Sequence, residues 1–414
     1  MIRRFSLYGF LKNQRYFEPF IILFFLQQGL SFAQIGILVA FREICISLIE
    51  VPSGAFADLC GRRKCMILSF SSYIVAFLVF GFSQVYWNFF VAMFFFAVGE
   101  AFRTGTHKAI IFTWLRIENR LDEKTKVYGY TRSWSKIGSA VSIIFAVLLV
   151  FFTNNYSYVF FLSIIPYLLG LVNFLTYPTE LEGQPCAGKI NITQLYSHLW
   201  ESIRASFKVA HLRRLLLESM GFEGVFKAVE DYLQPVIRNA VFLLPLFINL
   251  DEIRRNSLMI GVVYLILYLA SAYASRKSHK LVEYAKGEES GSRFLWFIAL
   301  VVYIAMIPLL FFEYYPVAIV AFIALYIIQN FWRPVLISRF DAHATEVSGA
   351  TVLSIESQAK SLSTMIIAPV LGLTVDYVLA HGLGGEFWPI GIIAAFIALL
   401  VIITGKKQIL YKSR

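Results

Sequence analysis

Charged residues are scarce in this chain of 414 residues, and no long polar stretch interrupts it. Asp, Glu, Lys and Arg together make up 15% of the sequence, against 58% for the hydrophobic types, and the mean hydropathy is +0.68. This balance excludes a soluble globular protein, whose surface needs far more charge. The lack of a long polar region also excludes a second, water-soluble domain. The class that remains is a membrane protein that consists almost entirely of a helical bundle.

Cysteine is also scarce, and the chain shows no metal-binding spacing among Cys45, Cys60, Cys65 and Cys186. We expect these cysteines to be reduced and structural, because they lie in a span or on the cytoplasmic side. We therefore expect no metal and no cofactor. A cleavable signal peptide is not expected either, since charged residues interrupt the first apolar run.

Basic residues outnumber acidic ones, with a formal net charge of +11. They gather in short groups at the ends of apolar runs, which argues against a nucleic-acid partner. If the spans alternate across a bilayer, these groups fall on one side, so the positive-inside bias places both termini in the cytoplasm. The groups are Arg3, Arg4, Lys12, Arg15; Arg62, Arg63, Lys64; Arg116, Arg120, Lys124, Lys126; Lys189, Arg204, Lys208, Arg213, Arg214; Arg276, Lys277, Lys280, Lys286, Arg293; and Lys406, Lys407, Lys412, Arg414.

Each crossing of a bilayer needs about 20 apolar residues, and the sequence predicts an all-α membrane protein of twelve transmembrane helices in two six-helix halves. The longest polar connection divides the chain into an N-terminal half at 1–178, a cytoplasmic linker at 179–212 and a C-terminal half at 213–414. Apolar residues recur at helical spacing in the linker, which predicts an amphipathic helix on the inner leaflet. The predicted spans are 6–28, 34–57, 66–87, 88–113, 129–152, 156–177, 213–236, 256–275, 293–312, 315–338, 351–375 and 387–405.

A tight basic connection, Gly54–Lys64, joins the second and third spans. Its two glycines permit turns and close helix approach, and its basic residues hold it at an anionic membrane surface. Asp58, at a helix end, can accept hydrogen bonds from a neighbouring helix. Two interpretations stay open for this connection: a breakable latch, or a tight turn whose charges only set orientation.

This connection and the topology together resemble the major facilitator superfamily. The family signature G-x-x-x-D-x-x-G-R-R/K is matched by Gly54, Asp58, Gly61, Arg62 and Arg63. The preceding Glu50-Val51-Pro52-Ser53 is similar to the E-I/V-P-S/T of many bacterial members. The resemblance implies the twelve-helix fold and a place in the bacterial inner membrane. It also implies that Asp58 and the basic residues after it bind neighbouring helices across the domain interface and stabilise the outward-facing state.

Charges inside the spans are the best guide to function, because each costs about 3 kcal/mol on the insertion scale. Such groups are expected to face a wet cavity or each other. Spans 4 and 7 each carry several ionisable residues at helical spacing, which places them largely on one face. The candidates for substrate binding and coupling are Glu100, Arg103, His107, Lys108, Arg132, Glu223, Lys227, Glu230 and Arg333.

Coupling to protons requires a group that changes protonation as the cavity alternates, and Glu100, Glu223 and Glu230 are the candidates. Arg103 keeps its proton, so it is a fixed anchor for an anionic substrate group or for a coupling carboxylate. For His107 two interpretations stay open, titration near physiological pH or a satisfied hydrogen-bonding role.

Structural interpretations stay open for several of these residues. Glu223 with Lys227 and Glu356 with Lys360 lie at i, i+4, where opposite charges form ion pairs. Arg132 lies near the cytoplasmic end of span 5, where a basic residue serves as a membrane anchor.

Two further patterns resemble family signatures. Arg132 stands where the exporter signature R-x-x-x-G-x-G-P-x-x-G-G begins, but the required G-P-x-x-G-G does not follow. Pro369, Gly372 and Asp376 resemble a P-x-x-G-x-x-x-D at the end of span 11. Small residues Gly138, Ser139 and Ala140 in span 5 predict close helix packing.

The expected function is secondary active transport, coupled to protons, of a small polar, zwitterionic, anionic or amphipathic organic solute, with export preferred over uptake. We expect no enzymatic activity and a monomer in the lipid bilayer. The alternatives are an uptake symporter of the same fold and, in other classes, a membrane-embedded lipid-modifying enzyme or a channel or sensor. The short external connections disfavour an enzyme, and a state-dependent latch has no use in a channel.

Overall fold

A computed structural model describes residues 1–120, 123–182, 196–197, 200–201, 204, 208–244, 248–341 and 349–410. Within these residues the secondary structure is helical. The α-helices are α1 (Ile2–Leu11), α2 (Ile21–Gln27), α3 (Phe32–Cys60), α4 (Arg62–Phe82), α5 (Tyr86–Arg103), α6 (Thr106–Ile117), α7 (Lys124–Thr153), α8 (Tyr158–Leu175), α9 (Ala210–Ser219), α10 (Val225–Val229), α11 (Leu233–Leu243), α12 (Glu252–Tyr284), α13 (Glu288–Phe311), α14 (Tyr315–Asp341), α15 (Gly349–His381) and α16 (Trp388–Leu410).

Nine helical segments in the described part of the chain are long and apolar enough to cross a membrane. They follow the predicted spans 2–6 and 8–11, and Trp388–Thr404 adds a shorter apolar helix where span 12 is predicted. The predicted amphipathic linker helix depends on Ile192, Leu195, Leu199, Ile203 and Phe207, which lie outside the described residues.

The first predicted span is not one helix, and this corrects the prediction of a continuous span at 6–28. Helix α1 ends at Leu11 and α2 begins at Ile21, with turns between them. The side-chain amide of Asn13 donates to the Gly9 carbonyl at 2.7 Å and so closes the end of α1. Pro19 then lacks an amide proton and disfavours a helical residue before it. The polar segment between the helices is therefore not helical, and it places the side chains of Lys12 and Arg15 inside the protein.

The fourth predicted span is also interrupted. Helix α5 ends at Arg103 and α6 begins at Thr106, because Gly105 takes a positive φ of 79° that breaks the helical path. Glu100 and Arg103 thus lie at the end of one helix, and His107 and Lys108 at the start of the next. The prediction of one charged face across the whole span is wrong for this reason.

The seventh predicted span changes its hydrogen-bonding pattern twice. A π-helical turn, Met220–Gly224, follows α9, and a 3₁₀ turn, Glu230–Tyr232, precedes α11. A π turn inserts an extra residue into the helix and rotates the side chains around it. Glu223 lies inside this turn, so simple helical periodicity does not predict the direction of its side chain.

The described helices form two compact units. Unit 1 comprises Met1–Gln28, Phe41–Ser197 and Asp251–Gly261, and unit 2 comprises Gly29–Ala40, His198–Leu250 and Val262–Arg414. Each unit contains pieces from separate parts of the chain. The predicted division at 1–178, 179–212 and 213–414 stays a prediction.

Unit 1 is held together by aromatic packing and by close helix contacts at glycines. Tyr73 on α4 packs edge-on against Tyr167 on α8, with ring centroids 4.9 Å apart. A Cβ atom on Gly138 of α7 would lie 2.5 Å from the Phe10 carbonyl oxygen, and one on Gly9 would lie 2.7 Å from the Thr131 carbonyl oxygen. The predicted close packing at Gly138 is therefore confirmed, and it brings the end of α1 against α7.

In unit 2 the first turns of α3 pack on α15 through the Pro369, Gly372 and Asp376 pattern. A Cβ atom on Gly372 would lie 2.2 Å from the Phe32 carbonyl oxygen. The Asp376 carboxylate accepts hydrogen bonds from the backbone amides of Phe32 at 3.0 Å and Ala33 at 2.8 Å. These amides are the first of α3 and have no partner within their own helix. The pattern at 369–376 is therefore explained as a close helix contact with a carboxylate cap.

We predict that Asp376→Ala lowers the stability of the protein by about 1 kcal/mol, because it removes a cap that also opposes the helix dipole. The measurement is the thermal unfolding midpoint of the purified protein in detergent. Leu373→Ala is the matched control, since this neighbouring side chain is 58% exposed. An equal midpoint for wild type and Asp376→Ala would contradict the capping role.

Candidate functional site

The centre of unit 1 holds a cluster of two arginines, one glutamate and one tyrosine. Glu100 forms an ion pair with Arg103 and a second one with Arg15 at 3.3 Å. The hydroxyl of Tyr73 donates to the same carboxylate, and Nε of Arg103 lies 3.3 Å from that hydroxyl. The pairing supplies the charges and donors that a carboxylate within an apolar bundle requires.

The helix interruptions place the members of this cluster. Arg15 lies in the turn region between α1 and α2, while Glu100 and Arg103 lie in the last turn of α5. The chain is not helical at Arg15. Its side chain therefore reaches Glu100 from a position that a continuous first helix would not provide. Sequence reasoning assigned Arg15 and Lys12 to membrane orientation and did not single out Tyr73. The available signal was two basic residues inside an otherwise apolar run.

A polar cavity of about 370 Å³ lies next to this cluster, within unit 1. Its cationic side chains are Lys12, Arg132 and Lys136, from the end of α1 and from α7. The other lining residues are Phe5, Tyr8, Gly9, Asn13, His107, Thr131, Ser135 and Ser139. The structure therefore places Arg132 at a cavity. Arg132 is also exposed, so substrate binding and membrane anchoring both stay predictions for this residue.

His107 forms one wall of the cavity and is 7% exposed. Its ring stacks on Tyr8 with centroids 3.7 Å apart, and it meets Phe5 edge-on at 5.6 Å. The ring nitrogen Nε2 is buried and has no hydrogen-bond partner among the described residues. A buried polar atom in a native protein usually has such a partner, so the satisfied structural role considered for His107 does not fit this nitrogen.

Unit 2 has its own charged cluster around Arg333 on α14. The guanidinium binds Glu356 of α15 through two hydrogen bonds, at 2.6 Å and 3.1 Å, and lies 4.0 Å from Glu223. Gln329 donates to Glu223 at 3.1 Å, and the Ser219 hydroxyl donates to Glu356 at 2.6 Å. Arg333 thus lies close to two buried carboxylates, and its contact with Glu356 is shorter than its contact with Glu223.

This arrangement changes the interpretation of one predicted i, i+4 pair, Glu356 with Lys360, whereas the pair of Glu223 with Lys227 stays a prediction. Glu356 forms its ion pair with Arg333, and the structure shows none between Glu356 and Lys360 in the described residues. Lys227 and Glu230 lie further along the same span and are partly exposed. The structure brings neither of them to Arg333, so their functional roles stay predictions.

A second buried ion-pair network in unit 2 was not identified from the sequence. Arg339 at the end of α14 pairs with Glu218 of α9 and with Glu289 of α13, the latter at 2.8 Å. Ser292 accepts a hydrogen bond from Arg339 at 2.9 Å. These contacts tie three helices together. Arg339 is 4% exposed and Glu218 is 3% exposed, which is typical of a structural ion pair.

The Gly54–Lys64 connection is anchored within unit 1. Gly61 takes a φ of 100° and directly precedes α4 as its N-cap residue. Arg62 donates to the Thr113 hydroxyl at 2.6 Å, and Arg63 donates to Glu182 at 3.0 Å. The side chain of Asp58 lies outside the described structure, so the latch assigned to this connection stays a prediction.

Two predictions remain to be compared with the structure: the role of Lys108 and the absence of a metal site. Lys108 is exposed on α6, with its ammonium 5.5 Å from the Phe112 ring centroid, and it does not line the cavity. The structure therefore does not join Lys108 to the other candidates of span 4. Among the described residues no group of three His, Cys, Asp or Glu side chains has the geometry to hold a metal ion.

We predict that Arg15 and Glu100 are energetically coupled. Arg15→Gln and Glu100→Gln should each lower stability, and the double variant should lose less than the sum by about 1 kcal/mol, because each single variant already removes the Arg15–Glu100 pair. The measurement is a double-mutant cycle on thermal unfolding in detergent. Arg15 and Glu18 form the control cycle, since that pair is 3.7 Å apart and Glu18 is 49% exposed. Additive losses for Arg15 and Glu100 would contradict the cluster.

The apolar helical bundle and its buried charged clusters define the class of helical membrane proteins. Comparison with known families then identifies the family. The family model described as Major Facilitator Superfamily matches residues 13–368. The chain belongs to the Major Facilitator Superfamily, and the predicted all-α fold of this family is confirmed. The count of twelve crossing helices stays a prediction.

The chain is similar to a curated protein described as an uncharacterized MFS-type transporter, YxaM, of Bacillus subtilis (strain 168). The two are 22% identical over 236 residues, which is 55% of the length of each chain. The aligned region thus spans about half of the curated relative.

Solved structures share the fold over nearly the whole chain. The nucleoside transporter NupG is 14% identical with a TM-score of 0.74, covering 97% of both chains. A POT family transporter in complex with 5-aminolevulinic acid is 14% identical with a TM-score of 0.72, covering 98% of this chain and 96% of that one. A D-xylose-proton symporter is 14% identical with a TM-score of 0.70, covering 97% and 95%.

Proposed function

We propose that this protein is a proton-coupled secondary active transporter that moves a small zwitterionic, anionic or amphipathic organic solute by alternating access. The observation that carries this proposal is the sharing of Arg333 between two buried carboxylates, Glu223 and Glu356. Membership of the transporter family supports it, as does a polar cavity within the bundle of unit 1. Neither a cofactor nor an enzymatic step enters the proposal.

The proton site is assigned to Glu223. Arg333 binds Glu356 with both of its terminal nitrogens, and Glu223 keeps a neutral donor, Gln329, together with a more distant positive charge. An ionised carboxylate that is buried with incomplete compensation gains from binding a proton. A protonated Glu223 releases Arg333 entirely to Glu356, whereas an ionised Glu223 competes for it. The proton therefore changes the contacts that link Glu223 in the π turn to α14 and α15.

Glu100 is the paired carboxylate of the cluster in unit 1, and both Arg15 and Arg103 bind it. The two guanidinium groups compensate the charge of the Glu100 carboxylate. We assign to Glu100 and Arg103 the role of a fixed charged centre beside the cavity. This interpretation keeps Arg103 as an anchor for a carboxylate of the protein, one of the two roles left open by the sequence.

Orientation and direction follow from the charge distribution and the family resemblance. We propose that both termini lie in the cytoplasm of a bacterial cell and that the bundle lies in the inner membrane, which the distribution of the basic groups supports. Export is preferred to uptake on the resemblance alone, and an uptake symporter with the same proton site is the alternative. We propose a monomer as the working unit.

We predict that Glu223→Gln abolishes proton-driven accumulation of substrate but leaves exchange of labelled for unlabelled substrate intact. A neutral side chain cannot carry the proton, yet it retains the shape needed for alternation. The measurement uses the full chain in vesicles, with a substrate found by a thermal-shift ligand screen at two pH values. Glu313→Gln is the matched control, since Glu313 is exposed in a connection. Accumulation by Glu223→Gln against a pH gradient would place the proton site elsewhere.

The Gly54–Lys64 connection is proposed as the latch that stabilises the outward-facing state. We predict that Asp58→Asn slows transport several-fold without lowering the thermal unfolding midpoint, because a neutral side chain binds a helix end more weakly than a carboxylate does. Transport rates in vesicles provide the measurement. Glu118→Gln serves as the control, since this carboxylate is exposed in the turn after α6 and lies outside the connection. A wild-type rate for Asp58→Asn would remove the latch from the mechanism.

A further inference from the structure

The cavity of unit 1 is strongly cationic. Lys12, Arg132 and Lys136 line it, and none of the three forms an ion pair with a carboxylate in the described part of the chain. The nearby carboxylate, Glu100, is taken up by two other arginines. The cavity therefore holds three positive charges that the neighbouring side chains leave uncompensated.

Such a concentration of like charge is unfavourable within a bundle. Arg132 and Lys136 are exposed and Lys12 is half-buried, so the three like charges repel one another at a partly solvated site and attract an anion to it. The described residues that line the cavity include no Asp or Glu. A bound anion would supply the missing negative charge.

His107 gives independent evidence for a ligand at this place. The side chain is 93% buried, being 7% exposed, and its Nε2 atom has no hydrogen-bond partner among the described residues. It lines the same cavity as the three cations. A ring nitrogen that carries a proton can donate to an oxygen of an anion, which would satisfy a group that the protein itself leaves unsatisfied.

The remaining lining residues suit an oxyanion with an organic part. The side chains of Asn13, Thr131 and Ser135 can donate hydrogen bonds, and the rings of Phe5 and Tyr8 provide an apolar wall. The volume of about 370 Å³ is at the lower end of the range for small-molecule sites. The site therefore fits a compact molecule that is both strongly acidic and partly apolar.

We propose that this cavity binds the doubly charged acidic group of a small organic anion, a phosphate monoester or a dicarboxylate, held by Lys12, Arg132, Lys136 and His107. The proposal rests on the transport function proposed above and names its substrate class. A zwitterion fits less well, because its ammonium group would meet three cations and no carboxylate. Two or more negative charges match the uncompensated charge of the cavity.

The test measures binding of defined probes to the full purified chain in detergent. The probes are inorganic phosphate, succinate, the zwitterion glycine and the neutral polyol glycerol, each examined by thermal shift and isothermal calorimetry at two salt concentrations. We expect phosphate, succinate or both to bind and to weaken with added salt. The two dianions differ in shape, so the tighter one distinguishes a phosphate site from a dicarboxylate site. Binding of glycine or glycerol with neither dianion would overturn the proposal.

Variants then assign the binding to the cavity. Lys12→Gln, Arg132→Gln and Lys136→Gln should each weaken the dianion about 10- to 100-fold, because each removes a charge-assisted contact. Arg132→Lys should retain most of the affinity, and this variant separates loss of charge from misfolding. Arg116→Gln is the matched control, since Arg116 is exposed at the end of α6 and does not line the cavity. Equal weakening by the control and the cavity variants would overturn the proposal.

Transport of the same probes separates this proposal from the proposed function. Dianion binding that is lost in the cavity variants, without movement of the dianion across vesicles, would support the site and contradict the transport function. Proton-driven accumulation of another solute, with no dianion bound, would support the transport function and overturn the site. Accumulation of a dianion that fails in Lys12→Gln would support both.

Discussion

Pairing of charge inside an apolar bundle is the constraint on which the structure depends. Carboxylates in both units are matched by guanidinium groups: Glu100 by Arg15 and Arg103, and Glu356 by Arg333. Arginine suits this role because its planar group binds a carboxylate at two points and stays charged. Removing one partner would strand a buried charge, a change that typically costs about 3–5 kcal/mol. The pairing is incomplete at Glu223 and at the cationic cavity, and these are the places where we propose that a proton and an anion bind.

Interruptions of the helices decide which charges can meet. The turns after Leu11 admit Arg15 to the cluster of unit 1, and the turn at Gly105 separates Glu100 from His107. The π turn at Met220–Gly224 places Glu223 beside Gln329. Each break also leaves backbone groups without helical partners, which side chains such as Asn13 satisfy. Function in this family member is therefore inferred from places where the helical pattern fails, rather than from the regular spans.

Several features of the site were open to sequence reasoning and others were not. Glu100, Arg103, Glu223 and Arg333 were candidates because an ionisable residue in an apolar run is costly and needs a reason. Lys12 and Arg15 carried the same signal, but a basic residue near the start of a span also suits membrane orientation. Periodicity alone could not reject that alternative. Sequence periodicity also could not predict that Glu356 pairs with Arg333 rather than with Lys360, since this pair joins two helices that are separate in the sequence.

The sequence by itself determined the membrane class, the family and the approximate course of most spans, because hydropathy and charge bias act locally along the chain. It also determined which residues carry an unusual energetic cost. Only the tertiary structure decided how that cost is met: which arginine pairs with which glutamate, which cations stay uncompensated, and that Asp376 caps α3. The physical reason is that ion pairs and caps depend on the distance between atoms of different helices. That distance is set by helix packing and by the breaks at Leu11, Gly105 and Met220. The regular helical period of the sequence predicts none of these breaks.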